Sequence, residues 1–141
     1  MKRVYRLRRP DQFRRVRREG RSYTSPHLML NVAAGRRQRI RCGFVVGKQF
    51  GAAVRRNRAR RRVREAVRLA LPSIVSGYDL VFVIRGVAVL SMPFSMLQRE
   101  VEQLLRRARL WSEAPDAEAL ADARAPEHVT PGEGVGPDPA S

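Results

Sequence analysis

The sequence predicts an α+β fold: a single domain, element order α-β-β-β-α-β-α, built as one sheet with helices packed on it. Three observations lead there. Apolar residues alternate with polar ones at Leu28, Leu30 and Val32 and again at Ile40, Cys42, Phe44 and Val46, the period of half-buried strands. They recur every three to four residues over 54–71 and 97–108, the period of helices. Between these helical stretches, 78–84 is almost continuously apolar, as in a strand covered on both faces. A chain of 141 residues suits about one domain with a modest core.

Each element has its own signal. Pro10 at a first helical position, Phe13 and Val16 three apart, and Gly20 as a stop predict a short first helix. Its few apolar anchors mean that it must lean on something else. Tyr23 and the two alternating runs, broken at Gly35-Arg36-Arg37, predict antiparallel strands joined by turns. The stretch from Val54 to Leu71 holds neither Pro nor Gly and stops just before Pro72, as a helix should. Tyr78 to Ile84 follows as the buried strand. Ser95 with Gln98 fits a capping box, and Leu97, Val101, Leu104, Leu105 and Ala108 share one face of a final helix.

Composition separates a body from a tail. Residues 1–111 carry 28 basic residues against six acids, whereas 112–141 hold seven acids against Arg124 alone, with Pro, Gly and Ala filling the rest. We read 1–111 as the folded domain and 112–141 as a disordered acidic tail, too poor in branched and aromatic residues to offset its ordering entropy. The tail is either an inert extension or a weak intramolecular competitor for a basic site. The formal charge of +16 points to a polyanionic partner. Of the 29 basic residues, 27 are arginine and only Lys2 and Lys48 are lysine.

Other classes fall away. The apolar run Leu80–Ile84 is far short of the roughly 18 residues of a membrane span. The N-terminus has charge without the apolar stretch of a secretory signal. Cys42 stands alone, which excludes an intrachain disulfide, and with His27 and His128 it makes a poor zinc set. A cytoplasmic protein without bound metal is expected. Six acids and one His in the body, at no telling spacing, suggest no catalytic residue. Asp79 is expected to begin a strand, Glu100 and Glu102 to face water on the last helix, His27 and Cys42 to be strand residues, and Trp111 to pack at the end of the final helix.

The middle helix is the most informative segment. At 100° per residue, Ala59, Val63, Ala66, Val67 and Ala70 gather on one side and face the sheet. Asn57, Arg61, Arg64 and Arg68 form a stripe on the other, flanked by Arg58 and Arg60. Like charges at i, i+4 cost an isolated helix a few tenths of a kcal/mol each, so the stripe is locally unfavourable until an anion neutralises it. A guanidinium can donate two hydrogen bonds to a phosphate and stack on a base. The plainer reading is a solvated face in an arginine-rich chain, but codon bias alone does not sort arginines onto a stripe. Ahead of the helix, Gly43, Gly47 and Gly51 bracket Lys48 in what reads as a turn; the spacing matches neither a P-loop nor a dinucleotide fingerprint.

The run from Lys48 to Glu65, with Arg56-Asn57-Arg58 followed by Arg60, Arg61 and Arg64, resembles the signature of the bacterial ribonuclease P protein component. The resemblance extends from about Leu7 through Phe13, Gly20, Cys42-Gly43-Phe44-Val45-Val46 and Asp79 to Arg85, reaching about Leu110 and leaving out the acidic tail. It implies a left-handed β-α-β crossover from the third strand through the arginine helix to the fourth, against the usual hand. It also implies a role as the protein subunit of ribonuclease P, whose catalyst is an RNA that removes the 5′ leader of precursor tRNA with divalent metal. By motif position, Lys48, Arg56, Asn57, Arg58, Arg60, Arg61 and Arg64 would contact that RNA, and Arg68 extends the stripe.

The resemblance further implies a cleft for the single-stranded leader between the first helix and the sheet. Phe13 matches an aromatic position of that cleft, where stacking on a base is worth roughly 1–3 kcal/mol; taken alone it could equally be a core residue. Arg17 stands where relatives often have a second Phe, and Arg60 where they commonly have Lys. Expected partners are the catalytic RNA and precursor tRNA, with no membrane and no obligate protein partner. No cofactor is expected on the protein alone, with Mg2+ in the holoenzyme. The competing readings are a structural ribosomal-RNA-binding protein, using the same charge stoichiometrically, and a basic helix on an anionic membrane, which the mostly Ala apolar face disfavours.

Overall fold

A computed structural model describes residues 6–113. The elements are α1 (Pro10–Glu19), β1 (Arg21–Thr24), β2 (Leu28–Ala34), β3 (Ile40–Val46), α2 (Ala53–Ala70), β4 (Tyr78–Ile84) and α3 (Phe94–Arg107), with short 3-10 turns at Lys48–Phe50, Leu71–Ser73 and Val87–Leu90. The order is the one the sequence predicts. The expected disorder of 112–141 falls outside the described residues except at Ser112 and Glu113; Ser112 N–H donates to Ser73 O at 2.7 Å, and Glu113 pairs with Arg106 at 2.7 Å.

The four strands stand in the order β1-β2-β4-β3. β1 and β4 each pair antiparallel with β2, while β3 runs parallel to β4. This corrects the expectation that β2 and β3 are neighbours joined by a turn: β4 inserts between them, as its apolarity on both faces demands. The β2–β3 connection must therefore stride across the start of β4. β3, α2 and β4 form the β-α-β unit that the resemblance implies.

The pleat sorts the strands into two faces. Leu28, Leu30, Ile40, Cys42, Leu80, Phe82 and Ile84 join Ala59, Val63, Ala66 and Val67 of α2 and Leu97, Val101, Leu104 and Leu105 of α3 in the main core. Phe44 stacks on Phe82 across the parallel pair, with centroids 5.8 Å apart. The opposite face holds a smaller cluster of Leu7, Val16, Ala33, Val81 and Val83, with Phe13, Met29 and Val45 against it. β4 is thus covered on both sides.

Three boundaries differ from expectation. α3 begins at Phe94 behind Pro93, so Ser95 is already inside the helix and forms no cap. It ends at Arg107, and Trp111 lies beyond it, bridged to Ile74 and beneath the Arg106 guanidinium at 5.3 Å. Gly43 lies within β3 rather than in the turn before α2.

Candidate nucleic-acid interface

α2 starts from a sharp turn. Gly51 takes φ 78°, a left-handed conformation that glycine adopts without strain, and its N–H donates to Lys48 O at 3.0 Å. Phe50 is buried beneath the turn, and Arg55 Nε donates to its carbonyl at 3.2 Å. Lys48 is left exposed beside the helix start.

The helix then buries Ala59, Val63 and Val67 completely. That burial fixes its rotation. Asn57 and Arg58 are exposed, and Arg56, Arg60, Arg61, Arg64 and Arg68 are half-buried, their stems against the protein and their placement set by helical spacing. Arg60 Nη1 donates to Asn57 Oδ1 at 2.8 Å. Burial, and then the neighbouring Arg56, hold the Arg60 guanidinium below its ordinary pKa, as expected where like charges are crowded. Arg68 makes a two-point pair with Glu65, Nε to Oε1 at 2.9 Å and Nη2 to Oε2 at 2.7 Å. Its charge is already answered within the helix, unlike the setting expected for a plain phosphate ligand.

One arginine of the run is not on this surface. Arg62 is 3% exposed; its Nη1 donates to Val89 O at 2.7 Å, and its guanidinium sits 6.0 Å from the Phe94 ring. It fastens α2 to the segment leading into α3. The signal was available, because position 62 is three residues after Ala59 and four before Ala66, on the buried side of the wheel.

On the other face of the sheet, α1 lies over β2 and β4. Val16 is fully buried, and Phe13 packs half-buried with its ring over Gly43, where a Cβ would come within 2.3 Å of it. Arg17, one helical turn beyond Phe13, is exposed. Phe13 and Arg17 thus share one side of α1, with Phe13 also serving the core. α1 finds the support it needs in Asp79, which is 1% exposed: Arg15 bonds to its Oδ2, and Arg41 grips both oxygens at 3.0 and 2.8 Å.

Glu100 corrects an expectation. It is buried at 7% exposure rather than solvent-facing, because a polar turn from the distant β1–β2 connection closes over it. Its carboxylate accepts from Ser25 Oγ, from His27 N–H at 2.8 Å, and pairs with His27 Nδ1 at 2.9 Å. Burial pushes the Glu100 pKa up, but the His27 and Ser25 hydrogen bonds outweigh it and hold the carboxyl below its usual range. His27 lies in that turn, not in a strand. Cys42 is a strand residue, as expected, and burial followed by the nearby Asp79 charge pushes its thiol up to about 12.

Among the described residues, no three His, Cys, Asp or Glu side chains converge as a metal site would require. Asp79, Glu65, Glu100 and Glu102 are all engaged with arginine or histidine instead. Among the described residues, these side chains do not form a site for a magnesium ion. Among them, too, no helix is long and apolar enough to cross a membrane.

Comparison with known proteins gives the family. The family model for Ribonuclease P matches residues 1–109. The chain belongs to the ribonuclease P protein family. A ribonuclease P protein component from Chloroflexus aurantiacus is 56% identical over 131 residues, spanning 91% of this chain and 96% of the relative. Among solved structures, the RNase P protein from Thermotoga maritima matches with a TM-score of 0.66 at 30% identity, over 72% of this chain and 96% of that one. A Staphylococcus aureus RNase P protein mutant, described as defective in mRNA degradation activity, matches with a TM-score of 0.66 at 25% identity, over 76% and 90%. The ribonuclease P family match stops close to Leu110, where the acidic composition begins.

Proposed function

We propose that the chain is the protein subunit of ribonuclease P, binding the catalytic RNA and the 5′ leader of precursor tRNA to promote endonucleolytic 5′ maturation. The observation that carries this is the guanidinium-bearing side of α2, whose rotation is fixed by the burial of Ala59, Val63 and Val67. An 18-residue helix is about 27 Å long, enough to lie along several phosphates. Arg56, Asn57, Arg58, Arg60, Arg61 and Arg64, with Lys48 at the edge, would form that contact, and Arg68 would join it on release from Glu65. Each neutralised phosphate releases counterions, making assembly steeply salt-dependent.

Phe13 and Arg17 would receive the leader on the opposite face. A base can stack on Phe13 whatever its identity, and Arg17 can stack or bind phosphate, which makes the contact sequence-tolerant. In this reading the bond is cut at the RNA, with Mg2+ in the holoenzyme, and the protein contributes binding and positioning without a catalytic residue. The setting would be the cytoplasm.

The test is reconstitution of the chain with the organism's catalytic RNA at low magnesium, followed by an assay of 5′ processing. Faster cleavage or tighter substrate binding is expected. No change in either, together with cosedimentation with ribosomal subunits, would replace this reading by a structural ribosomal-RNA-binding role.

A further inference from the structure

We infer that the loop between β2 and β3 is a second contact for an RNA phosphate backbone, carried by Arg36, Arg37 and Arg39 and separate from the α2 surface. The inference rests on the reading above in taking RNA as the partner. All three arginines are exposed, and among the described residues none has an acidic partner. Among the described residues, the acid beneath the loop is Asp79, against Gly35, and it is buried and held by both Arg15 and Arg41. Glu19 is within 3.7 Å of the same Arg15. Positive charge around the loop is therefore in excess.

The loop is held in place rather than hanging as an arm. Because β4 lies between β2 and β3, the loop must cross the start of β4. Gly77 meets it on both sides: Gly35 N–H donates to Gly77 O at 2.9 Å, and Gly77 N–H donates to Arg39 O at 2.7 Å. A further bond from Arg39 N–H to Arg36 O at 3.1 Å closes the turn, with Gln38 at φ 60°. Gly77 itself takes φ 101°, open to glycine and strained for other residues. These are backbone bonds, so the arginine side chains are left to face outward. Three like charges on a fixed turn repel one another unless a polyanion lies against them, and a pre-ordered backbone lowers the entropy lost on binding.

Position argues that the contact is distinct. The loop and Lys48 lie at opposite ends of β3, whose seven residues span about 23 Å. The loop sits where the two faces of the sheet meet: α1 reaches it on one side through Arg15 Nη1, which donates to Ala34 O at 3.3 Å, and α2 ends on the other. RNA held on α2 and RNA held in the α1 cleft could each extend to it. The shared chemistry is the phosphodiester backbone, whether of the catalytic RNA or of precursor tRNA.

The experiment uses the full chain with Arg36→Gln, Arg37→Gln and Arg39→Gln combined, alongside the corresponding triple lysine variant and Arg61→Ala. One arm titrates each protein with the catalytic RNA across salt concentrations; the other titrates each reconstituted holoenzyme with precursor tRNA. In one arm, the glutamine variant is expected to lose about two to three units of the slope of log affinity against log salt, and the lysine variant to keep it. The arm that responds identifies the RNA. An unchanged slope in both arms, with Arg61→Ala flattening the first, would overturn this inference alone. If Arg61→Ala has no effect either, the α2 reading falls with it.

Discussion

The Phe13 ring occupies the space that a side chain on Gly43 would need, with Phe13 Cε1 2.3 Å from the position of a Cβ there. Helix α1 and strand β3 are thus fitted to each other at the cleft proposed for the leader. Gly43→Ala is expected to push Phe13 from its seat, at about 1–3 kcal/mol of overpacking. Affinity of the holoenzyme for precursor tRNA should fall while affinity for a leaderless tRNA holds. Parallel titrations with the two substrates check this, and equal losses on both would contradict it.

Arg62 separates folding from binding within one basic run. Arg62→Met removes the donor to Val89 O and leaves a buried carbonyl unsatisfied, an expected loss of about 1–3 kcal/mol. Urea denaturation should report that loss. The salt dependence of RNA binding should stay that of the parent, because Arg62 faces the core.

Glu100 gives the fold an acid-sensitive clasp. Its folded pKa lies below the ordinary value of 4.5, so its contribution is fully present above that value and disappears as pH falls through the folded one. Glu100→Gln should lower stability at pH 7 and weaken the pH dependence on the acid limb. Thermal melts of both proteins from pH 7 to pH 3 check the sign; parallel curves would contradict it.

Cys42 offers a readout of opening. With its thiol pushed up to about 12 and its side chain buried, the native protein holds almost no thiolate at pH 8. Labelling by iodoacetamide should be negligible in native buffer and accelerate in urea. Rapid labelling without denaturant would place Cys42 in contact with solvent.

Much of this was legible in the sequence because it depends on local period. The alternation through Leu28–Val32 and Ile40–Val46 marks strands, and the spacing of Ala59, Val63, Ala66 and Val67 marks both α2 and its buried side. What depends on distant partners was not legible. Nothing near Glu100 in the chain announces that Ser25 and His27, 75 and 73 residues away, close over it. The insertion of β4 between β2 and β3 is likewise a non-local pairing, for which the unbroken apolar run 80–84 was only an indirect sign. Arg62 differs from these: the helical wheel places it on the buried side, but its charge argues for water until the Val89 carbonyl is seen.

The central claim is that α2 presents its arginines to the phosphates of a folded RNA. The most direct measurement is the affinity of the chain for the catalytic RNA as a function of salt, for the parent and for Arg61→Ala combined with Arg64→Ala. The account predicts weaker binding and a log–log slope shallower by about two units, one for each lost phosphate contact. An unaltered slope at unchanged stability would contradict it.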